Sequence, residues 1–264
     1  MSMFNHTLYT VSHFCRQNTR PNLNKPNEDY CITDTAHGIF LLADGVTRPH
    51  EEYRGEPESL SGICAKELCQ RVHDQLLTHL SDPPEEALYQ AMLAGNRHIR
   101  DLNQSYTGNR PPAATFAGAI LRGSMLTYST CCDTVAYLIR NRAKIQLSEY
   151  HNYAATKLGY SRDEVYRTLH NNPLHPDGFG LFNGDPRLSH FLRVTHIALE
   201  PGDRIILSSD GLAECLRVLR GNQLKAMSPE ELLTASLPYD QPPFGTYADD
   251  KCCIVIDIPE TEDR

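Results

Sequence analysis

The chain has 264 residues, 40% of them apolar and 22% charged, with a formal net charge of −8. Such an acid excess argues against nucleic-acid binding through bulk basicity. This length and apolar fraction suit a folded chain that buries roughly three quarters of its extended surface, not a disordered one. The longest apolar runs, such as residues 39–43 and 205–207, fall far short of the ~20 residues a spanning helix needs, so no membrane partner is expected.

Residues 1–10 show no basic stretch leading into an apolar one, as a secretory leader would, and a cytoplasmic location is expected. Residues 8–14 alternate and residues 38–43 are continuously apolar, which predicts strands, the second covered on both faces. Leu60, Ile63, Cys64, Leu68, Val72, Leu76 and Leu80 recur at three- and four-residue steps and predict an amphipathic helix ending near Ser81. Asp82-Pro83-Pro84 predicts a restart, with Asp82 as cap and proline in the first turn of a second helix through Ala87, Ala91, Ala94 and Ile99. Four short β-rich segments follow, at 115–121, 125–132, 134–140 and 144–147, with turns at Arg122-Gly123 and Asn141-Arg142. Residues 159–185 are rich in Gly, Pro and Asn, but Ser161 and Glu164 have capping-box spacing; Ser228 and Glu231 form a second box with Pro229 behind the cap. Apolar segments 204–208 and 252–258 complete an order of strands, two helices, strands, helix and strand, which suits a sheet-rich α/β body with helices outside. No repeat or linker divides the chain. Its nine cysteines, an odd number without a Cys-x-x-Cys, read as reduced core thiols.

Carboxylates fall where apolar segments begin and end. Asp44 follows residues 39–43, Asp210 follows 205–209, Asp249-Asp250 opens the last strand, Asp133 lies between two strands, and Glu28-Asp29 precedes Tyr30-Cys31-Ile32. If such strand ends converge, like charges a few ångströms apart raise each other's pKa unless protons or cations neutralise them. Carboxylate oxygens and a backbone carbonyl such as that of Gly45 form a hard ligand set that selects Mg²⁺ or Mn²⁺. The competing reading is local. Composition alone places about one Asp-Gly pair in this chain, there are three (at Asp44, Asp177 and Asp210), and the pair is an ordinary turn former.

The ordered set Asn27-Glu28-Asp29, Ala43-Asp44-Gly45-Val46, Cys132-Asp133-Thr134, Ser209-Asp210-Gly211-Leu212 and Asp249-Asp250 resembles the metal-dependent protein phosphatases of the 2C type, in order and in separation, over about residues 9–258. Ala114-Thr115-Phe116-Ala117 and the segment 199–207 resemble the family as well. The resemblance implies one phosphatase-like domain over residues 1–264, an α-β-β-α sandwich of two central, mainly antiparallel sheets flanked by helices. It implies a flap at 159–185 whose Gly178-Phe179-Gly180 contacts substrate. The implied activity is a Ser/Thr phosphoprotein phosphatase in which two Mg²⁺ or Mn²⁺ ions, with a weaker third, activate the water that attacks the phosphomonoester. By position, Asp44 bridges both ions, Asp210 and Asp249 complete the first ion's shell, Glu28 and the Gly45 carbonyl serve the second, Asp133 helps hold the third, and Asp29 orients the cluster. A phosphorylated Ser/Thr protein is the implied substrate and a cognate kinase an implied partner. A non-catalytic binding protein and a small-molecule phosphomonoesterase are the alternatives.

Two positions depart from the family pattern. Where the family has a phosphate-gripping arginine four residues before the Glu28 position, this chain has Asn24, and the Gly-Gly usual after the first Asp-Gly is missing, Val46 standing where some members have an acid histidine. Arg48, or else Lys25 or Arg20, is therefore expected to hold the phosphate, and His50 or a metal-bound water to protonate the leaving oxygen. No cysteine is followed six positions later by arginine and no glycine precedes lysine, so the cysteine-nucleophile loop and the nucleotide P-loop are both absent.

Overall fold

The computed structural model describes residues 9–18, 25–47, 57–108, 110–149, 159–240 and 249–260; Arg20, Asn24, Arg48 and His50 lie outside these. Among the described residues, ten strands form two antiparallel sheets. One has the order β1 (Thr10–Arg16), β10 (Lys251–Asp257), β9 (Arg204–Ser208), β6 (Val135–Arg140), β7 (Ala143–Gln146). The other has the order β2 (Asp29–Asp34), β3 (Ile39–Asp44), β4 (Phe116–Arg122), β5 (Met125–Cys131), β8 (Thr195–Ala198). The α-helices are α1 (Leu60–Thr78), α2 (Pro84–Leu102), α3 (Arg162–Thr168), α4 (Ala213–Val218), α5 (Gly221–Ala226) and α6 (Pro229–Ser236).

Alternation along single strands builds the layers. On β3, Ile39, Leu41 and Ala43 pack with Leu68 and Val72 of α1 and Leu88 and Met92 of α2. Phe40 and Leu42 point the other way and share a core with Leu138, Leu207, Ile254 and Ile256 of the facing sheet. On β6, Val135, Tyr137 and Ile139 pack outward on Leu216, Leu224 and Leu232 of α4 to α6. Each fully buried Leu, Ile or Phe contributes roughly 1.5–3 kcal/mol, so β3, apolar on both faces, is held from both sides. The result is the expected α-β-β-α sandwich.

Local departures have local causes. Helix α1 ends at Thr78 instead of near Ser81, because the His79 N–H closes onto the Leu76 carbonyl at 3.1 Å. Asp82 does not cap α2. The cap position is Pro83, and the Asp82 carboxylate instead meets the His79 ring nitrogen at 2.9 Å. Leu60 opens α1 49% exposed, ahead of the buried stripe. Strand β8 and helices α4 and α5, at four to six residues, are too short to show a period. Both capping boxes form, at Ser161 and Ser228.

Register then gathers the acids. Asp44 pairs with Asp29, Phe116 with Cys131, and Ser208 with both Cys253 and Val135. The exits of β3, β5 and β9 and the entrances of β2, β4, β6 and β10 therefore lie at one end of the sandwich. The segment 159–185 returns to this end: Ala114 and Phe182 exchange two backbone hydrogen bonds at 3.0 Å, and Phe179, 3% exposed, packs with Ala113, Cys132, Leu169 and Leu181.

Candidate active site

Two of the Asp-Gly pairs serve close approach. Neither Gly45 nor Gly211 has a positive φ. A Cβ on Gly45 would stand 2.5 Å from the Ser61 carbonyl oxygen, and one on Gly211 2.0 Å from that of Asp250. Glycine at these positions lets the chain leaving β3 pass the first turn of α1, and the chain leaving β9 pass the entrance of β10. Asp44 and Asp210 are thereby fixed beside the neighbouring acids. The Asp44 carbonyl accepts from Thr115 N (2.8 Å), and Gly45 N donates to the Glu28 carbonyl (3.0 Å). Asp133 is presented by a turn in which Cys132 adopts a left-handed φ of 70° and the Thr134 hydroxyl donates to the Phe116 carbonyl at 2.7 Å. Such a conformation is rare for a residue with a side chain.

The charges repel as the sequence pattern anticipates. Asp29 and Asp44 sit directly opposite on paired strands, an unfavourable placement for like charges. Burial, then Asp29, Asp210, Asp249 and Asp133, push the Asp44 carboxyl well above the usual carboxylate range. Burial, then Asp133, Asp249 and Asp29, do the same to Asp210, which shares a hydrogen bond with Asp44. Two carboxyls in contact require a proton or a cation between them. Asp29 is also raised, by burial above all. Its Oδ2 accepts from the Ser209 hydroxyl (2.7 Å), which in turn accepts from Cys252 N (3.0 Å), while its buried Oδ1 has no hydrogen-bond partner among the described residues.

The other half of the acid cluster is built differently. Lys25 is 2% exposed, and its Nζ stands 3.0 Å from Glu28 Oε2, 3.1 Å from Asp250 Oδ2 and 3.3 Å from Asp249 Oδ1. Burial alone lowers the Lys25 pKa, but Asp249, Glu28 and Asp250 together raise it above its ordinary value. Glu28, 0% exposed, also accepts from the hydroxyl of Ser59, the N-cap of α1. Asp250 accepts from Glu28 N at 2.8 Å and from the backbone and side-chain nitrogens of Asn18 at 2.8 and 3.0 Å.

The structure thus brings Glu28, Asp29, Asp44, Asp133, Asp210 and Asp249 to one place, with the Gly45 backbone among them. Lys25 departs from expectation. Its ammonium faces inward to three carboxylates and presents no donor to a substrate phosphate. Arg48 and His50 lie outside the described residues. Sequence reasoning gave no role to Asp250, Ser59 and Ser209. Ser59 is detectable as a serine directly before the apolar stripe of α1, and Asp250 by its place in the pair that opens the last strand, but nothing local gives Ser209 a role.

Asp44, Asp210 and the unpartnered Asp29 Oδ1 form an oxygen-only, cation-deficient set, which suits a hard divalent ion. Among the described residues no three His, Cys, Asp or Glu side chains already stand in a group that could hold an ion, and the Glu28 half already has a cation in Lys25.

No family model matches this sequence, and no curated protein matches it. Solved structures match over nearly its whole length. The serine/threonine phosphatase PstP/Ppp of Mycobacterium tuberculosis is 19% identical at a TM-score of 0.65, covering 96% of this chain and 99% of its own. A PstP catalytic domain in complex with two manganese ions is 18% identical at 0.60, covering 96% and 99%. The PPM Ser-Thr phosphatase MsPP of Mycobacterium smegmatis, in complex with cacodylate, is 19% identical at 0.61, covering 94% and 98%. The chain therefore has the fold of the PPM-type, 2C-like Ser/Thr phosphatases.

Proposed function

We propose that this chain is a metal-dependent phosphatase of the PPM type that hydrolyses phosphoserine or phosphothreonine in a protein substrate, itself the product of a cognate kinase. The observation that carries this reading is the convergence of six carboxylates from five separate chain segments at one end of a sandwich shared with such enzymes. Nothing in packing rewards gathering buried, mutually repelling acids; an ion-dependent chemistry does.

In this reading Asp44 and Asp210 hold Mn²⁺ or Mg²⁺, with Asp133 and Asp249 at its flanks. The bound ion supplies a water of lowered pKa and charge neutralisation at the phosphoryl oxygens. Asp44 and Asp210 stay deprotonated once it is bound. Asp29, held by Ser209, keeps Asp44 in register, and Gly45, which lets the chain pass Ser61, contributes its carbonyl. We assign the phosphate to Arg48, since Lys25 is committed elsewhere, and the proton for the leaving oxygen to His50 or a water. Residues 159–185 are assigned as a flap beside the site, but Phe179, 3% exposed and packed on Leu169 and Leu181, faces the core and not a substrate. Nine free cysteines support a reducing, cytoplasmic setting.

The second reading, a phosphatase-fold protein that binds without hydrolysis, is favoured by the Lys25 ammonium, which neutralises part of the cluster without an ion. Mn²⁺-dependent release of phosphate from p-nitrophenyl phosphate and from a phosphothreonine peptide separates the readings. Turnover of both supports the phosphatase. Turnover of neither, by a folded protein at saturating Mn²⁺, supports the binding protein. Hydrolysis of small phosphomonoesters alone supports a metabolite phosphatase.

A further inference from the structure

We propose that the Lys25 ammonium is the resident cation of the Glu28–Asp249–Asp250 half of the cluster, so that this chain loads a single divalent ion, on Asp44 and Asp210, where the two-ion arrangement would use Glu28 as well. The inference rests on the phosphatase reading and refines it.

An ammonium has three N–H donors and no acceptor. Three carboxylate oxygens surround Lys25 Nζ, at 3.0, 3.1 and 3.3 Å, as many as it has donors. The remaining oxygens of the two most buried acids are also engaged: Glu28 Oε1 by the Ser59 hydroxyl, and Asp250 Oδ1 by Asn18. An incoming ion would have to expel a tethered charge and strip a carboxylate whose other donors are fixed by the N-cap of α1 and by the backbone of residue 18. A tethered cation also acts at a high effective concentration, because it cannot diffuse away. Asp44 and Asp210 have no ion pair with a basic side chain among the described residues, and both are open to solvent in part. The half that can exchange a cation with water is therefore the half without lysine.

The test is a metal count that does not depend on activity. Chelator-stripped wild type and Lys25→Met are dialysed to equilibrium against Mn²⁺, bound metal is measured, and the spin-resonance spectrum is recorded. The expected result is one ion per wild-type chain with the spectrum of an isolated Mn²⁺, and a second ion with exchange coupling in Lys25→Met. Two ions in the wild type overturn the inference and leave the phosphatase reading standing. An unchanged count of one in a folded Lys25→Met overturns it too. No uptake by either chain overturns the phosphatase reading and this inference with it. If Lys25→Met fails to fold, Glu28→Gln decides. An affinity within about threefold of wild type supports an ammonium-bound Glu28, whereas a loss beyond tenfold makes Glu28 a metal ligand and ends the proposal.

Discussion

The two halves of the acid cluster contain the same residue types at the same end of the same fold, yet they solve the charge problem in opposite ways. Around Lys25, Glu28 and Asp250 are at most 2% exposed and Asp249 is 22% exposed, and a covalently tethered cation balances them. Around Asp44 and Asp210 the carboxyls stay partly open to water, hydrogen-bond to each other and are raised by their mutual repulsion. A tethered cation gives stability and cannot leave. An unmet demand for a cation costs stability and creates a place for an exchangeable ion. In the proposed reading the first half is structural and the second is where chemistry occurs.

Substitutions that treat the halves separately sharpen the contrast. The largest effect is expected from Asp44→Asn, which removes the charge central to the open half: Mn²⁺-dependent release of phosphate should fall at least about a thousandfold, ~4 kcal/mol of transition-state stabilisation. Residual activity within tenfold of wild type would place the chemistry elsewhere. Lys25→Met acts on stability. Three carboxylates lose their counter-ion, and the fold should lose about 3 kcal/mol in urea denaturation without metal, the lower end for a broken buried pair because Asp249 is partly solvated. A change under about 1 kcal/mol would mean that the ion pairs are worth no more than a surface contact. Ser209→Ala is milder. It removes the donor to Asp29 and leaves the buried Cys252 N–H unmet, an expected cost of about 1–2 kcal/mol, and wild-type melting behaviour would show that Ser209 positions nothing.

The carboxylates of both halves were legible in the sequence, and the lysine that closes one of them was not. Asp44 ends one apolar run and Asp210 follows another, and each precedes a glycine, so a continuous apolar segment and one dipeptide mark both. The sandwich was legible for the same reason, since residues 39–43 are apolar at every position, as a strand covered on both sides must be. Lys25, one residue from a proline and three from Glu28, carries no signal that separates a substrate-facing lysine from a buried one; its direction is decided by Asp249 and Asp250, more than two hundred residues away. Asp82 shows the limit at short range. Its carboxylate had two local partners, an N-terminal N–H of α2 and the ring of His79, and the histidine won. The glycines misled in kind: Asp-Gly pairs suggest turns, and only the approach of Ser61 and Asp250 shows that they are contact points.

The smallest expected effect is one of sign, and it separates the halves most directly. A carboxyl whose folded-state pKa is raised contributes stability that is complete below its unfolded value of about 3.9 and is lost as pH rises through the folded value. Asp44 and Asp210 are both raised, so the metal-free chain should become less stable, relative to Asp44→Asn, as pH rises from about 3.9 through the folded-state values. Partial exposure of both carboxyls screens the repulsion and keeps the difference small. Mn²⁺ binds the deprotonated form, so at saturating metal the slope of wild type against Asp44→Asn should reverse and stability should rise with pH. Paired melts with chelator and with Mn²⁺ give the four values required. A slope of the same sign in both conditions would mean that the ion does not sit on Asp44, whereas reversal in wild type and its absence in Asp44→Asn would fix the ion on the half of the cluster that has no lysine.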